Sequence, residues 1–238
     1  MSGSEQTRIP PFHGRRHGRK LRSGMAALLT DSLPRYRIAA LQDGKAEPGQ
    51  RFFDDAAKRR YLEIGFGGGE HLAARAEAEP DAAFIGAEPF INGVASLLRH
   101  IRDRQLGNIR IWPDDIRLLL PVLPAASLDG VYILFPDPWP KTRHRQRRIV
   151  QPPLLDQLGR LIRPGGFLLL ASDDPTAKSW LLWQAFRHAA FDWQANSSDD
   201  WRNPPAAWPG TRYESKAATA SRKPAWFLFR CKATTASG

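Results

Sequence analysis

Apolar and polar positions follow two alternating patterns from Arg60 onwards. Short runs such as Tyr61-Leu62-Glu63-Ile64 and Val131-Tyr132-Ile133-Leu134-Phe135 are almost continuously apolar, which is typical of strands buried on both faces. The segments between such runs have apolar residues spaced on one helical face, as in 90–101. Strands that alternate with helices at this spacing predict an α/β fold with a doubly wound, mostly parallel sheet covered by helices on both faces.

The same patterns give the order of the predicted elements. Strands are predicted at Tyr61–Ile64, Ala83–Ala87, Asn108–Trp112, Asp129–Phe135, Phe167–Ala171, Phe191–Gln194 and Trp226–Cys231. We find no internal repeat and no second domain. The chain is therefore predicted to consist of a basic, partly disordered N-terminal arm and connection over residues 1–59, followed by one domain over residues 60–238.

Charge adds information that the pattern does not. The 35 Lys and Arg residues exceed the 24 acidic residues, and the formal net charge is +11. This excess indicates a polyanionic partner, such as nucleic acid or an anionic membrane surface. No apolar run is long enough to span a bilayer, and residues 1–10 have no apolar signal region. The lone Cys231 excludes an internal disulfide framework and a cysteine-based zinc site, so we predict a cytoplasmic protein, and we predict no metal.

Much of the positive charge lies in one block near the start of the chain. The segment His13–Arg22 is dense in Arg, Lys and His with glycine breaks, and on its own it is expected to be disordered. It is either a solubilising tail or an arm that becomes ordered on phosphates. A second basic cluster beside the predicted site favours the arm.

The turn after the first strand has the composition of a cofactor site. Gly65 and Gly67 allow a ligand to approach the backbone closely, and Glu88 closes the second strand, where a carboxylate can bind ribose hydroxyls. The third glycine of the dinucleotide fingerprint is replaced by Glu70, whose charge opposes a pyrophosphate at the helix terminus. No Walker lysine is present. A cofactor without phosphate, S-adenosylmethionine, fits this turn better.

The fourth strand runs into the most unusual stretch of the chain, Phe135-Pro136-Asp137-Pro138-Trp139-Pro140-Lys141. Proline cannot extend a sheet ladder, so the strand must end there and place Asp137 at the carboxyl edge of the sheet, where open α/β sheets bind ligands. A rigid loop followed by a solvated charge run is the simpler alternative.

Several segments together resemble the tRNA (guanine-N7-)-methyltransferase family. They are Glu63–Gly69, Ile85–Glu88, Phe135–Lys141, Arg143–Arg148, Ser172–Asp173 and Thr211–Glu214. The resemblance covers about residue 60 to the C-terminus. It implies a Rossmann-like, S-adenosylmethionine-dependent methyltransferase fold with seven strands, the last antiparallel. The bacterial type acts without a partner subunit, which implies a monomer or weak homodimer.

The resemblance also implies activity and roles. The expected reaction moves the methyl group of S-adenosylmethionine to N7 of a guanine in the tRNA variable loop, giving 7-methylguanosine and S-adenosylhomocysteine. Glu63, Gly65, Gly67, Glu88 and Asp115 are the expected cofactor-binding residues, with Glu88 at the ribose and Asp115 beside the adenine, and Asp137 is the expected active-site residue. The expected substrate-binding residues are Lys141, Arg143, Arg145, Arg147, Arg148, Asp173, Thr211, Arg212, Tyr213 and Glu214. Asp174 follows Asp173 where an aromatic is expected, so which aspartate faces the substrate is open.

Two other functions are compatible with part of this pattern. Asp137-Pro138-Trp139 also resembles the loop of enzymes that methylate exocyclic amino groups, although the single proline before Trp139 and the basic run after it favour guanine N7. A non-catalytic RNA-binding protein with the same fold is the second alternative. The presence of Glu63, Glu88, Asp115 and Asp137 together argues against it.

Overall fold

In the computed structural model, which describes residues 12–46, 50–206, 208–209 and 222–233, the predicted strands form one sheet. The strands are β1 (Arg59–Ile64), β2 (Ala82–Ala87), β3 (Ile109–Trp112), β4 (Leu128–Leu134), β5 (Ile162–Ser172), β6 (Phe191–Trp193) and β7 (Ala225–Cys231). The helices are α1 (Ser23–Asp31), α2 (Leu33–Tyr36), α3 (Glu70–Ala78), α4 (Ile91–Arg104), α5 (Ile116–Leu119), α6 (Pro152–Leu161), α7 (Pro175–Phe186) and α8 (Asp199–Arg202), with short 3-10 helices at Leu120–Val122 and Thr142–Arg147.

The strand order is β3-β2-β1-β4-β5-β7-β6, and β7 runs antiparallel to both of its neighbours. This confirms the predicted doubly wound, mostly parallel sheet with seven strands and an antiparallel last strand. The order reverses between β1 and β4, whose ends are paired through Ile64 and Ile133. Such a reversal opens a crevice at the carboxyl ends of the two strands.

Two apolar layers hold the helices on the sheet. On one face Phe84 and Tyr132 pack with α3 and α4, and on the other Leu62 and Val131 pack with α6 and α7. Because strand side chains alternate between faces, strands with both faces covered must be apolar at nearly every position. This explains the continuous apolar runs that the sequence contains.

The N-terminal region contains more structure than we predicted. Helices α1 and α2 fall in a stretch interpreted as arm and connection, and Leu28 and Leu33 are buried against the domain. The amide of Ile38 donates to Ile111 O at 2.8 Å, which extends the backbone pairing beyond β3. Part of the segment 1–59, which we predicted to be an arm and connection, therefore packs against the domain. A few apolar anchors in a polar segment left too weak a periodicity to predict this.

Strand β5 also begins earlier than the predicted Phe167. Ile162 pairs with Leu128, and the pairing resumes at Phe167 with Gly130 after an irregularity. The segment Pro164-Gly165-Gly166 lies in this irregular part. A bulge tolerates a residue without a backbone N–H donor, such as Pro164, and a residue with a positive φ, such as Gly165 at 77°.

Candidate active site

The glycine-rich turn leaves the carboxyl end of β1 and leads into α3. Gly65, Gly67 and Gly69 have φ values of 73°, 57° and 81°, a region that favours glycine. A Cβ atom added to Gly65 would meet open space, so a ligand can lie directly against this backbone. The turn thus has both the conformation and the room that the sequence predicted for a cofactor loop.

Glu88 follows β2 and is bound to the same turn. Its Oε2 accepts from Gly67 N at 2.8 Å, and its Oε1 accepts from Phe90 N at 2.9 Å. Burial raises the pKa of this carboxyl, the two amide donors lower it, and the negative charges of Asp137 and Glu63 raise it further. Each carboxylate oxygen can accept a second hydrogen bond, so Glu88 can still accept hydrogen bonds from two ribose hydroxyl groups.

Gly93 brings α4 close to the turn. A Cβ atom there would lie 2.1 Å from Gly67 O, so a larger residue cannot occupy the position without moving the turn. The N-terminus of α4 is therefore in backbone contact with the predicted cofactor loop.

Asp115 lies after β3 as the N-cap of α5. Its carboxylate accepts from Arg117 N at 3.0 Å and is also bound by the Arg117 guanidinium through Nε and Nη2. The neighbouring Asp114 forms an ion pair with Arg16 at 2.8 Å. The structure thus places both aspartates at this edge, with Asp115 already neutralised by an arginine of its own helix.

Glu63 has a partner that the sequence did not predict. Its Oε2 lies 2.7 Å from His71 Nδ1, and both side chains are 3% exposed. The His71 ring packs against the rings of Tyr132 and Trp208, at centroid distances of 4.9 and 4.7 Å. The signal available in the sequence was an acid at the end of β1 followed by a histidine in the first turn of α3.

Asp137 lies in the loop that follows β4, and its side chain is exposed. Phe135 and Trp139, on either side of it, have φ values of 51° and 41°, which are strained for residues other than glycine. Because β1 and β4 are adjacent, this loop and the glycine-rich turn lie beside each other, and the charge of Asp137 reaches Glu88. Strained backbone at a ligand-binding edge is a feature of functional sites.

The basic run divides into two groups. Lys141, Arg143, Arg145 and Arg147 are exposed on or next to the 3-10 helix Thr142–Arg147, where they can reach phosphates. Arg148 is instead half-buried and donates to the carbonyl oxygens of Pro138 and Trp139.

The two aspartates after β5 have different surroundings. Asp174 is the N-cap of α7 and accepts from Ala177 N at 2.9 Å. Asp173 is 16% exposed and lies 3.3 Å from Arg222 Nε. Asp174 is thus engaged in the helix cap, whereas Asp173 forms an ion pair with Arg222. The predicted residues Thr211, Arg212, Tyr213 and Glu214 lie outside the described residues.

Part of the basic N-terminal arm lies across this edge. Arg16 O accepts from Ile91 N at 3.0 Å, and Asn92 binds the backbone on either side of the Gly18–Arg19 peptide. We expected this segment to be disordered on its own. Its contacts with the start of α4 give it an ordered path without helix or strand.

Across the described segments, no three His, Cys, Asp or Glu side chains are grouped so as to hold a metal ion. In the same segments, no helix is both long and apolar enough to cross a membrane.

Comparison with known proteins agrees with this arrangement. Residues 57–227 match a family model described as "Putative methyltransferase". The tRNA (guanine-N(7)-)-methyltransferase of Paramagnetospirillum magneticum is 47% identical, covering 98% of this chain and 97% of the relative, and that of Rhodospirillum rubrum is 46% identical over 92% and 87%.

Solved structures show the fold. A point mutant of the 16S rRNA (adenine(1408)-N(1))-methyltransferase from Catenulisporales acidiphilia superposes with a TM-score of 0.51 at 14% identity, covering 76% of this chain and 88% of that one. An rRNA methylase from Streptococcus thermophilus gives 0.50 at 11% identity, covering 76% and 90%.

The sheet order, the glycine-rich turn and the carboxylate after β2 define a Rossmann-like methyltransferase that uses S-adenosylmethionine. Within that class, the 47% sequence identity to the Paramagnetospirillum magneticum enzyme, over nearly the whole length of both chains, shows the family. The chain belongs to the tRNA (guanine-N(7)-)-methyltransferase family.

Proposed function

We propose that this chain transfers the methyl group of S-adenosylmethionine to N7 of a guanine in the variable loop of tRNA. One observation carries the proposal: the loop Phe135–Lys141, called the Asp137 loop below, lies beside the glycine-rich turn where the strand order reverses. The chain that has this arrangement belongs to this family. The exposed arginines begin directly after the Asp137 loop, so a nucleic acid bound to them lies next to the cofactor turn.

The residues at the turn fit the cofactor. Gly65 leaves space against the backbone, and Glu88 has acceptor capacity for ribose hydroxyls. Asp115 lies at the neighbouring strand end, where an adenine is expected, and Glu63 lies beneath the turn. When bound, S-adenosylmethionine supplies an electrophilic methyl group on a sulfonium.

The protein's part in the reaction is mainly positioning. Guanine N7 carries a lone pair and no proton, so no general base is needed, and the reacting atoms must be held in line. The exposed Asp137 carboxylate can accept hydrogen bonds from the N–H donors on the other edge of guanine, an edge pattern that adenine lacks. Asp137 thereby orients the base, and its negative charge stabilises the positive charge that develops as N7 is methylated.

Substrate binding follows from the same surface. Lys141, Arg143, Arg145 and Arg147 contact phosphates, and Asp173 lies at the edge of the base pocket, with Thr211 to Glu214 expected to complete it. Trp139 has Arg147 5.0 Å from its ring centroid and His144 edge-on at 5.7 Å, so an incoming base must displace Arg147 to stack on that face. We also propose that the enzyme works in the cytoplasm without another protein subunit, as a monomer or weak homodimer.

The test is methyl transfer from labelled S-adenosylmethionine to unmodified tRNA, followed by digestion to nucleosides. The proposal predicts label in 7-methylguanosine. Label on an exocyclic amino group would support the first alternative function instead. Cofactor binding without any labelled nucleoside would support the non-catalytic one.

A further inference from the structure

Arg148 belongs by sequence to the basic run, yet its guanidinium points back into the protein. Nε lies 3.2 Å from Pro138 O and 3.3 Å from Trp139 O, and Nη2 lies 3.0 Å from Trp139 O. The guanidinium also stacks 4.6 Å from the centroid of the Trp180 ring on α7. All of these contacts hold it beneath the Asp137 loop.

The loop needs such an anchor. Pro136, Pro138 and Pro140 have no amide hydrogen, so this segment has few donors with which to bind itself to the domain. Phe135 and Trp139 are both held at positive φ, a backbone conformation that persists in residues other than glycine only where the surrounding structure stabilises it. The planar guanidinium supplies a fork of donors to the two carbonyl groups that directly follow Asp137.

The anchor is itself fixed to the fold. Trp180 Nε1 donates to Val150 O at 2.7 Å, two residues beyond Arg148, so the ring that supports the guanidinium is held against the same segment. Gln151 Nε2 donates to Arg148 O at 3.1 Å. The side chains of Arg143, Arg145 and Arg147 remain exposed by contrast.

We propose that Arg148 is a positioning residue, which fixes the strained loop so that Asp137 faces the target base, and is not one of the arginines that bind tRNA phosphates. The inference rests on the proposed methyl-transfer function. It separates the basic run into a group that binds the substrate and one member that shapes the site.

The experiment compares kcat and the salt dependence of tRNA binding in the wild type and in Arg148→Lys. Lysine keeps the charge but loses the planar fork, so we expect kcat at saturating tRNA to fall at least about tenfold. The slope of log K for tRNA binding against log salt is expected to stay unchanged, because no phosphate contact is lost. An unchanged kcat, or a flatter slope, would overturn the proposal.

Three further variants complete the test. Trp180→Leu removes the platform without changing charge, so the proposal predicts a loss of kcat with the salt slope intact, and a wild-type kcat in this variant would also contradict it. Arg145→Ala is the positive control for a phosphate contact and should flatten the slope. Arg187→Ala removes a similar stacked arginine, 4.7 Å from the Trp183 ring at the far end of α7, and should leave kcat unchanged. Wild-type activity on tRNA tests the proposed function separately.

Discussion

The Nδ1 atom of His71 lies 2.7 Å from Oε2 of Glu63, and this buried pair joins the end of β1 to the start of α3, the two elements that the glycine-rich turn connects. A carboxylate in such a position needs a donor, because a buried acceptor left without one costs about 1–3 kcal/mol. His71 therefore holds Glu63, a proposed cofactor-binding residue, in place from the first turn of α3.

Replacing this histidine tests the pair. His71→Leu should lower the free energy of unfolding by about 1–3 kcal/mol and weaken S-adenosylmethionine binding, since Glu63 loses its partner. His71→Gln retains an amide donor and should lose less. Urea unfolding and cofactor titration check both variants. Equal unfolding free energies for wild type and His71→Leu would show that the contact does not contribute.

Gly93 gives a second prediction. A methyl group there would lie 2.1 Å from Gly67 O, so Gly93→Ala must push the glycine-rich turn away from α4. We expect a loss of about 1–3 kcal/mol in stability and a clear loss of cofactor affinity. Gly107→Ala is the matched control, because its added Cβ meets no atom within 4 Å. If thermal unfolding and calorimetric titration give the same values for both variants, the close approach has no functional consequence.

The raised pKa of Glu88 predicts a pH dependence of cofactor binding. Burial shifts this pKa above the ordinary 4.5, so the carboxyl takes up a proton at a higher pH than an exposed glutamate does. A protonated carboxyl loses acceptor capacity, and the affinity for S-adenosylmethionine should fall as the pH is lowered towards the raised pKa. For the free protein the sign is opposite, because the ionised buried acid is the disfavoured form and its contribution to stability declines as the pH rises.

Calorimetric titration between pH 8 and pH 5 measures this effect. Glu88→Gln cannot ionise and serves as the control, with weaker affinity and a flatter profile. A wild-type profile as flat as that of the glutamine variant would rule out Glu88 as the titrating group.

The exposed arginines predict the salt dependence of RNA binding. Removing two phosphate contacts in Arg143→Ala/Arg145→Ala should reduce the slope of log K against log salt by roughly 1.4–1.8. The control, Arg51→Ala/Lys58→Ala, removes the same charge from surface ion pairs with Asp55 and Asp81, near the start of β1. Filter binding at several salt concentrations measures both slopes. Equal slopes would mean that general charge, not this helix, binds the tRNA.

Asp137 is predicted to act as a charged group. Asp137→Asn keeps the size and one acceptor oxygen but loses the negative charge, so kcat should fall by about 10²-fold or more with tRNA affinity little changed. Single-turnover methyl transfer at saturating tRNA measures this. Wild-type turnover in the asparagine variant would show that the charge has no role.

The sheet could be predicted from sequence because doubly covered strands must be apolar at nearly every position. Each of β1 to β4 also has an acidic residue within three positions of its carboxyl end. The positions of Glu88 and Asp137 followed from the strand ends alone. The partner of Glu63 did not, since a lone histidine on an apolar helix face has many explanations. Nor did the separate role of Arg148, because charge alone does not show which way a side chain points.

Methylation at guanine N7 is tested most directly with a tRNA whose variable-loop guanine is replaced by 7-deazaguanine. This base keeps the ring shape and the edge that Asp137 is proposed to contact but has no nitrogen at position 7. We expect this tRNA to bind with near-normal affinity and to accept no methyl group, while the unmodified tRNA yields 7-methylguanosine. Methyl transfer to the 7-deazaguanine tRNA at the normal rate would contradict methylation at N7.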